Sequence, residues 1–166
     1  MWSNISEYFE KYPAQEKVAQ KMMEVGISVR NGSPYCGDIK ITLSAMAEAC
    51  GTDRRIVTST MNTIESSKFL TGIFSNVLPV CSYKKVAPFM KWGVLEIVPE
   101  DVNRPGIISS VTGVLAKEGI NIRQVIADDP DIASQPKTFI VTESQIPGKL
   151  LGKIKDLPGV GAVVIY

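Results

Sequence analysis

The chain has 166 residues, 45% apolar and 21% charged, with a net charge of +1 and no histidine at all. That composition describes a folded protein rather than a disordered tail. The missing histidine removes Ser–His and Cys–His nucleophile pairs and the commonest metal ligand. No apolar run approaches the roughly 18–20 residues that span a bilayer, and the polar stretch around Asn4, Glu7, Glu10 and Lys11 is unlike a leader peptide. Cys36, Cys50 and Cys81, at separations of 14 and 31, fit neither a CxxC nor a zinc spacing, so reduced thiols in a cytoplasmic setting are expected. The small net charge hides an asymmetry: residues 1–92 hold eleven Lys/Arg and eight Asp/Glu, giving +3, while residues 93–166 hold seven and nine, giving −2.

Ile5, Tyr8, Phe9 and Tyr12 share one face of a predicted helix over 3–12, which Pro13 ends. A second helix is predicted from about Ala14 to Val25, with Val18, Met22 and Val25 on its inner side and Gly26 closing it. Ile27 and Val29, then Ile39 and Ile41, alternate as strands do, and Asn31-Gly32 marks a turn. The expectation is a small hairpin, or paired strands with a loop over 31–38. Thr42 suits the cap of a helix carrying Leu43, Met46, Ala47 and Cys50, broken by Gly51. Thr52 suits the cap of the next helix, with Ile56, Val57, Thr60, Met61 and Ile64 inward.

The spacing of Ala47, Gly51 and Val57 resembles a helix-turn-helix. A small residue lets two helices touch, a glycine supplies the positive φ of the turn, and a valine plugs the gap. On that resemblance the second helix presents Thr52, Arg54, Arg55, Thr58, Ser59 and Asn62 to double-stranded DNA. Arginine can bridge guanine acceptors or grip phosphate, and asparagine can pair with adenine. Asp53 in the first turn opposes phosphate. Residues 67–80 hold strand-like pieces around Gly72 and Asn76, read as a wing or as a loop packed on the core. From Val80 to Trp92, Tyr83, Val86, Ala87 and Met90 make one stripe, which predicts a helix connecting the two halves, bent at Pro88.

The second half reads more sharply. Gly93 to Pro99 alternates as a strand with one buried face. Ile107, Ile108, Val111, Val114 and Leu115 fall at helical spacing, with Pro105 suited to the first helical position and Gly119 as the stop. Further elements are a strand over 121–127, an acidic loop with Asp128, Asp129 and Asp131, a strand over 138–142, a helix opened by Pro147 and running to about Asp156, and a last strand over 162–166. The acidic loop lacks the glycine and distal glutamate of a calcium loop and reads as solvated. The order βαββαβ predicts a ferredoxin-like plan, with both helices on one face of an antiparallel sheet. The fold class is therefore α+β: a C-terminal ferredoxin-like domain preceded by a mainly helical, winged-helix-like domain. The expected division is 1–80, a connecting helix over 81–92, and 93–166.

Three pieces of that second half resemble the ACT domain, the small regulatory module of amino-acid metabolism. They are Asn103-Arg104-Pro105-Gly106-Ile107, then Glu118-Gly119-Ile120-Asn121-Ile122 fifteen residues on, and Leu157-Pro158-Gly159-Val160 before the last strand. The likeness is closest to the regulatory domain of D-3-phosphoglycerate dehydrogenase and covers residues 93–166. It implies an effector amino acid held across a dimer interface by Asn103 and Asn121, with Asp101, Arg104, Pro105, Gly106, Ile107 and Ile122 around it. The serine-binding dehydrogenases carry a histidine two residues before the first asparagine. Asp101 stands there in this chain, and a carboxylate can pair with a ligand's ammonium but argues against serine itself. The loop's chemistry supports ligand binding apart from any family. A helix start attracts a carboxylate, a glycine lets a ligand approach the backbone, and two amides can hold a zwitterion without being charged themselves.

The chain has no GxGxxG after a strand and no Walker A loop, so no enzyme activity and no cofactor is expected. The expected function is an amino-acid-responsive transcriptional regulator of amino-acid metabolism, homodimeric through its second half. The alternative is a regulatory partner of a biosynthetic enzyme, with the first half as a protein-docking domain.

Overall fold

In a computed structural model that describes all 166 residues, the chain divides into two compact units, Met1–Cys81 and Ser82–Tyr166. No helix is long and apolar enough to cross a membrane.

The first unit is mainly helical. It opens with α1 (Trp2–Ser6), which tightens into a short 3₁₀ turn over Glu7–Phe9. Ile5 and Phe9 are fully buried, but Tyr8 and Tyr12 are exposed, Tyr8 stacking on Phe69. The first helix is thus shorter than its periodicity predicts, because Pro13 serves as the first residue of α2 (Pro13–Val25) and the chain must turn before it. Val18, Ala19 and Met22 of α2 enter the core, while Val25 stays exposed at its end.

A three-stranded antiparallel sheet follows, β1 (Ile27–Arg30), β2 (Ser33–Cys36) and β3 (Ile39–Lys40). Asn31 and Gly32 both have positive φ and form the two-residue turn that matches strand twist. Half of the predicted 31–38 loop is therefore strand, concealed in the sequence by Pro34, which pairs with Val29 across the ladder.

Helix α3 (Leu43–Cys50) is capped by the Thr42 hydroxyl, which accepts from the Ala45 amide at 3.1 Å. It closes on Gly51 at φ +59, with the Thr52 amide donating back to the Ala47 carbonyl at 2.9 Å. Helix α4 (Arg54–Ser66) is capped by Asp53, whose Oδ1 accepts from the Arg55 amide at 2.6 Å. Thr52 lies in the turn, one residue too early for the cap predicted for it. Val57, Thr60, Met61 and Ile64 line the buried side of α4 against α2 and α3.

Two expectations fail beyond this point. Residues 67–80 hold no strand and no wing: Ser67 caps α5 (Lys68–Phe74), which buries Leu70 and Phe74. The serine cap outweighs the weak β signal of an isolated stretch. The connecting helix over 81–92 is absent as well. Its stripe becomes irregular chain ending in a 3₁₀ turn at Ala87–Met90, with Tyr83, Val86 and Met90 exposed and only Ala87 buried. Pro88 removes an amide from the middle of that stretch and holds it to a single tight turn.

The second unit carries β4 (Gly93–Pro99), α6 (Ile107–Lys117), β5 (Ile122–Ala127), β6 (Thr138–Thr142), α7 (Leu150–Lys155) and β7 (Val160–Ile165). Its sheet is fully antiparallel in the order β5-β6-β4-β7, the split βαβ arrangement read from the sequence. Leu95 and Ile97 of β4, Ile140 of β6 and Val160 of β7 meet Ile107, Val111 and Leu115 of α6 and Leu150 and Ile154 of α7 in one core. On the other face Val94, Val141 and Ala87 form a smaller cluster with Trp92 against it. Residues 82–92 thus belong to this unit as partial cover for its sheet.

Candidate functional site

The loop between β4 and α6 begins at a register shift between Val98 and Pro99, which turns the chain out of the ladder. Asp101 organises it, as its Oδ1 accepts from the Asn103 amide at 2.9 Å and its carbonyl from the Arg104 amide at 3.1 Å. Helix α6 starts on Gly106, at φ +92, with no side chain capping its first amides. Pro105 therefore precedes the helix rather than opening it. The uncapped amides carry the partial positive charge of a helix start.

Those residues form one wall of an open cleft of about 610 Å³. Val102, Arg104, Pro105, Gly106 and Ile107 line that wall, with Ile97 and Pro99 at the base. Ala127, Asp128, Pro130, Pro136, Lys137 and Thr138 stand opposite. The far wall escaped sequence reasoning, which took 128–137 for a solvated acidic loop. Its acids serve the backbone: Asp128 Oδ2 accepts from the Lys137 amide at 3.1 Å and Asp129 Oδ1 from the Asp131 amide at 2.8 Å. No periodicity announces the position of this wall. It follows from β5 and β6 pairing at Ala127 and Thr138 directly below it.

A second cleft of about 510 Å³ lies along the exposed face of α6, lined by Ser109, Thr112, Gly113, Ala116, Gly119, Ile120, Asn121 and Ile122. Ser109 and Thr112 line both clefts, so the two are continuous along α6. Asn121 and Ile122 therefore stand in the second cleft and the Arg104–Ile107 loop in the first. Asp101 and Asn103 line neither and are exposed. Asn121 Nδ2 donates to Glu143 Oε2 at 3.2 Å, and Glu143 Oε1 accepts from Arg123 at 2.9 Å. The Arg123 guanidinium in turn lies 4.4 Å from the Trp92 ring centre.

The Arg104 side chain is pinned from behind. A Cβ on Gly159 would meet Arg104 Cδ at 2.7 Å and Ile107 Cγ1 at 3.1 Å, so the Pro158-Gly159 turn is the floor on which Arg104 rests. The Glu100 amide donates to the Gly159 carbonyl at 2.9 Å and ties that floor to the loop.

On the sheet face away from the helices, Glu96 is buried and receives three donors: Lys137 Nζ at 2.6 Å, the Tyr166 hydroxyl at 2.8 Å and Lys84 Nζ at 3.2 Å. The Lys137 hydrogen bond is the main cause that draws the Glu96 carboxyl down to about 2, against burial, with Tyr166 and Lys84 adding to it. Their own hydrogen bonds to Glu96 raise Lys137 and Tyr166 above their ordinary values. Lys84 also sits 3.7 Å from the Phe139 ring centre.

In the first unit, Arg54, Arg55, Thr58, Ser59 and Asn62 are all exposed along α4, and Thr52 is half-buried in the turn. The Thr58 hydroxyl is turned back on its own helix, donating to the Arg54 carbonyl at 3.1 Å.

No curated relative matches the chain. Among solved structures, a mutant of Rv3291c is similar over 92% of this chain and 86% of that one, at 13% identity and a TM-score of 0.25, too loose a superposition to support any inference. The sequence profile of the ACT domain matches residues 102–159. The second unit thus contains an ACT domain, a regulatory module whose presence points to the binding of a small molecule.

Proposed function

We propose that the protein is an amino-acid-responsive regulator whose second unit binds a free amino acid beside the start of α6 and whose first unit binds duplex DNA. The observation that carries the ligand half is the uncapped start of α6 opening into a cleft that also holds Arg104, within a match to the ACT domain. A carboxylate suits those amides and that guanidinium. The apolar base at Ile97, Pro99 and Ile107 suits a short side chain. Asn103 and Asn121 would complete the site where two copies meet. The open edge of β5, with Ile122 and Val125 exposed beside it, offers a second copy a place to pair. Asp101 would face the ligand's ammonium.

The test is a melting-temperature screen of the full chain against the twenty free amino acids. One or a few should raise the midpoint. At a hundredfold excess over the dissociation constant the gain is about 2.7 kcal/mol. Asn103→Ala should abolish the shift and leave the ligand-free midpoint in place. Failure of all twenty on the wild type would end the amino-acid reading.

For the DNA half, the support is the α3–turn–α4 arrangement, with Ala47 and Val57 buried and Arg54 and Arg55 exposed at the leading end of α4. Binding to random duplexes should fall steeply between 50 and 200 mM salt, as several phosphate contacts demand. Arg54→Ala with Arg55→Ala should remove it. The modest +3 charge of residues 1–92 and the acidic Asp53 beside the two arginines favour one competing reading, a protein-docking unit on a biosynthetic enzyme. Absence of DNA binding at 50 mM salt would select it.

A further inference from the structure

Resting on the DNA-binding reading above, we propose that Lys17 of α2 is a backbone-phosphate contact, so that the first unit grips a duplex from two helices and not from α4 alone. Lys17 is exposed, and its Nζ lies 3.7 Å from the point where a Cβ on Gly51 would stand. Gly51 begins the turn that leads into α4, and Arg54 follows three residues later. The ammonium therefore stands beside the turn that precedes the helix proposed to enter the groove. Lys17, Gln20, Lys21 and Glu24 face Ala49, Cys50 and Gly51 across a shallow cleft of about 450 Å³.

The charges around this cleft separate into engaged and unengaged. Lys21 pairs with Glu24 at 3.0 Å, so that cation is already partly neutralised. Lys17, Arg54 and Arg55 have no carboxylate within salt-bridge reach. Asp53, the residue before Arg54, has an oxygen committed to the Arg55 amide. Three unpaired cations set about one turn match a polyanion with regularly spaced charges, which gains from several weak contacts at once. They suit a single small anion poorly, because Lys17 faces no buried polar partner that would fix one in place. Cys50, at the base of the cleft, is buried and its thiol is pushed up by that burial more than the lysines pull it down, so it is an apolar wall and not a reactive group.

The experiment uses the full chain and a fluorescently labelled random-sequence duplex, with anisotropy titrations across 50–200 mM salt. Lys17→Gln should lower the slope of log K against log salt by about one. It should weaken binding by the same factor on every duplex sequence, since a phosphate contact reads no base. Lys149→Gln, in the second unit and paired with Glu118, should leave the slope alone. A wild-type slope in Lys17→Gln would overturn the phosphate contact while leaving the DNA reading in place. No binding by the wild type at 50 mM salt would overturn both. If Lys17→Gln lowers the melting temperature, Lys17→Arg, which keeps the charge, must show the wild-type slope, and a reduced slope there would overturn the proposal. Equal competition by polyglutamate at matched charge would also overturn it, in favour of an acidic protein partner.

Discussion

Glu96 shows what a single side chain does to this fold. A lone carboxylate at 4% exposure would give up its charge by taking a proton, but three donors keep this one ionised. Its folded-state value, about 2, lies below the ordinary 4.5. The stabilisation is therefore complete above about pH 4.5 and is lost as pH falls toward 2. Glu96→Gln should flatten that acid limb, read as urea midpoints at pH 7, 4 and 3. At pH 7 it should cost on the order of 1–3 kcal/mol, because Lys84 and Lys137 are a third exposed and can rehydrate. Gly159 is the other decisive residue. Gly159→Ala adds roughly 1–2 kcal/mol of backbone strain at positive φ and displaces Arg104. Gly37→Ala, also at positive φ but facing open space and far from either cleft along α6 in sequence, carries the strain alone. The first variant should weaken the amino-acid shift and the second should not. A thermal-shift titration of both compares them directly.

Helix ends were where sequence and structure parted within elements. Thr52 and Asp53 are both good caps, and only the exact exit of the chain from Gly51 selects Asp53. Asp53→Ala should cost about 1 kcal/mol and Thr52→Ala much less, by urea denaturation. If α4 binds DNA, Asp53→Ala should also tighten binding by removing a repelled charge, a gain that a docking unit would not show. The wing predicted over 67–80 and the helix predicted over 81–92 failed for related reasons. In each, apolar residues recur at spacings that several conformations can satisfy. A serine cap settled the first as α5, and Pro88 settled the second as a 3₁₀ turn. The clefts show the same limit. The near wall, 102–107, is one contiguous stretch, so a reading of the sequence could single it out. The far wall, 127–138, reaches it only through strand pairing.

At the scale of the whole chain, the boundary at Cys81 places residues 82–92 with the sheet they partly cover. Ala87 packs on Val94 and Val141, the Tyr83 amide donates to Gln124 Oε1 at 2.8 Å, and Lys84 holds Glu96. A fragment of residues 82–166 should therefore fold cooperatively. A fragment of residues 93–166 should melt lower and bind a hydrophobic dye, since it exposes Val94 and Val141 and strips Glu96 of one of its partners. Equal melting temperatures for the two would mean that the cover contributes nothing.

The sequence by itself determined the order of elements in the second unit, the loop that opens α6 and the turn between α3 and α4. These are local matters, set by periodicity, by glycines that must take positive φ and by residues that cap. Only the tertiary structure decided that Lys137 and Lys84 meet at Glu96, that Gly159 supports Arg104, and that Lys17 stands over Gly51. Each of those joins residues more than ten positions apart, and proximity of that kind comes from how strands pair and helices pack, which no short window of sequence encodes.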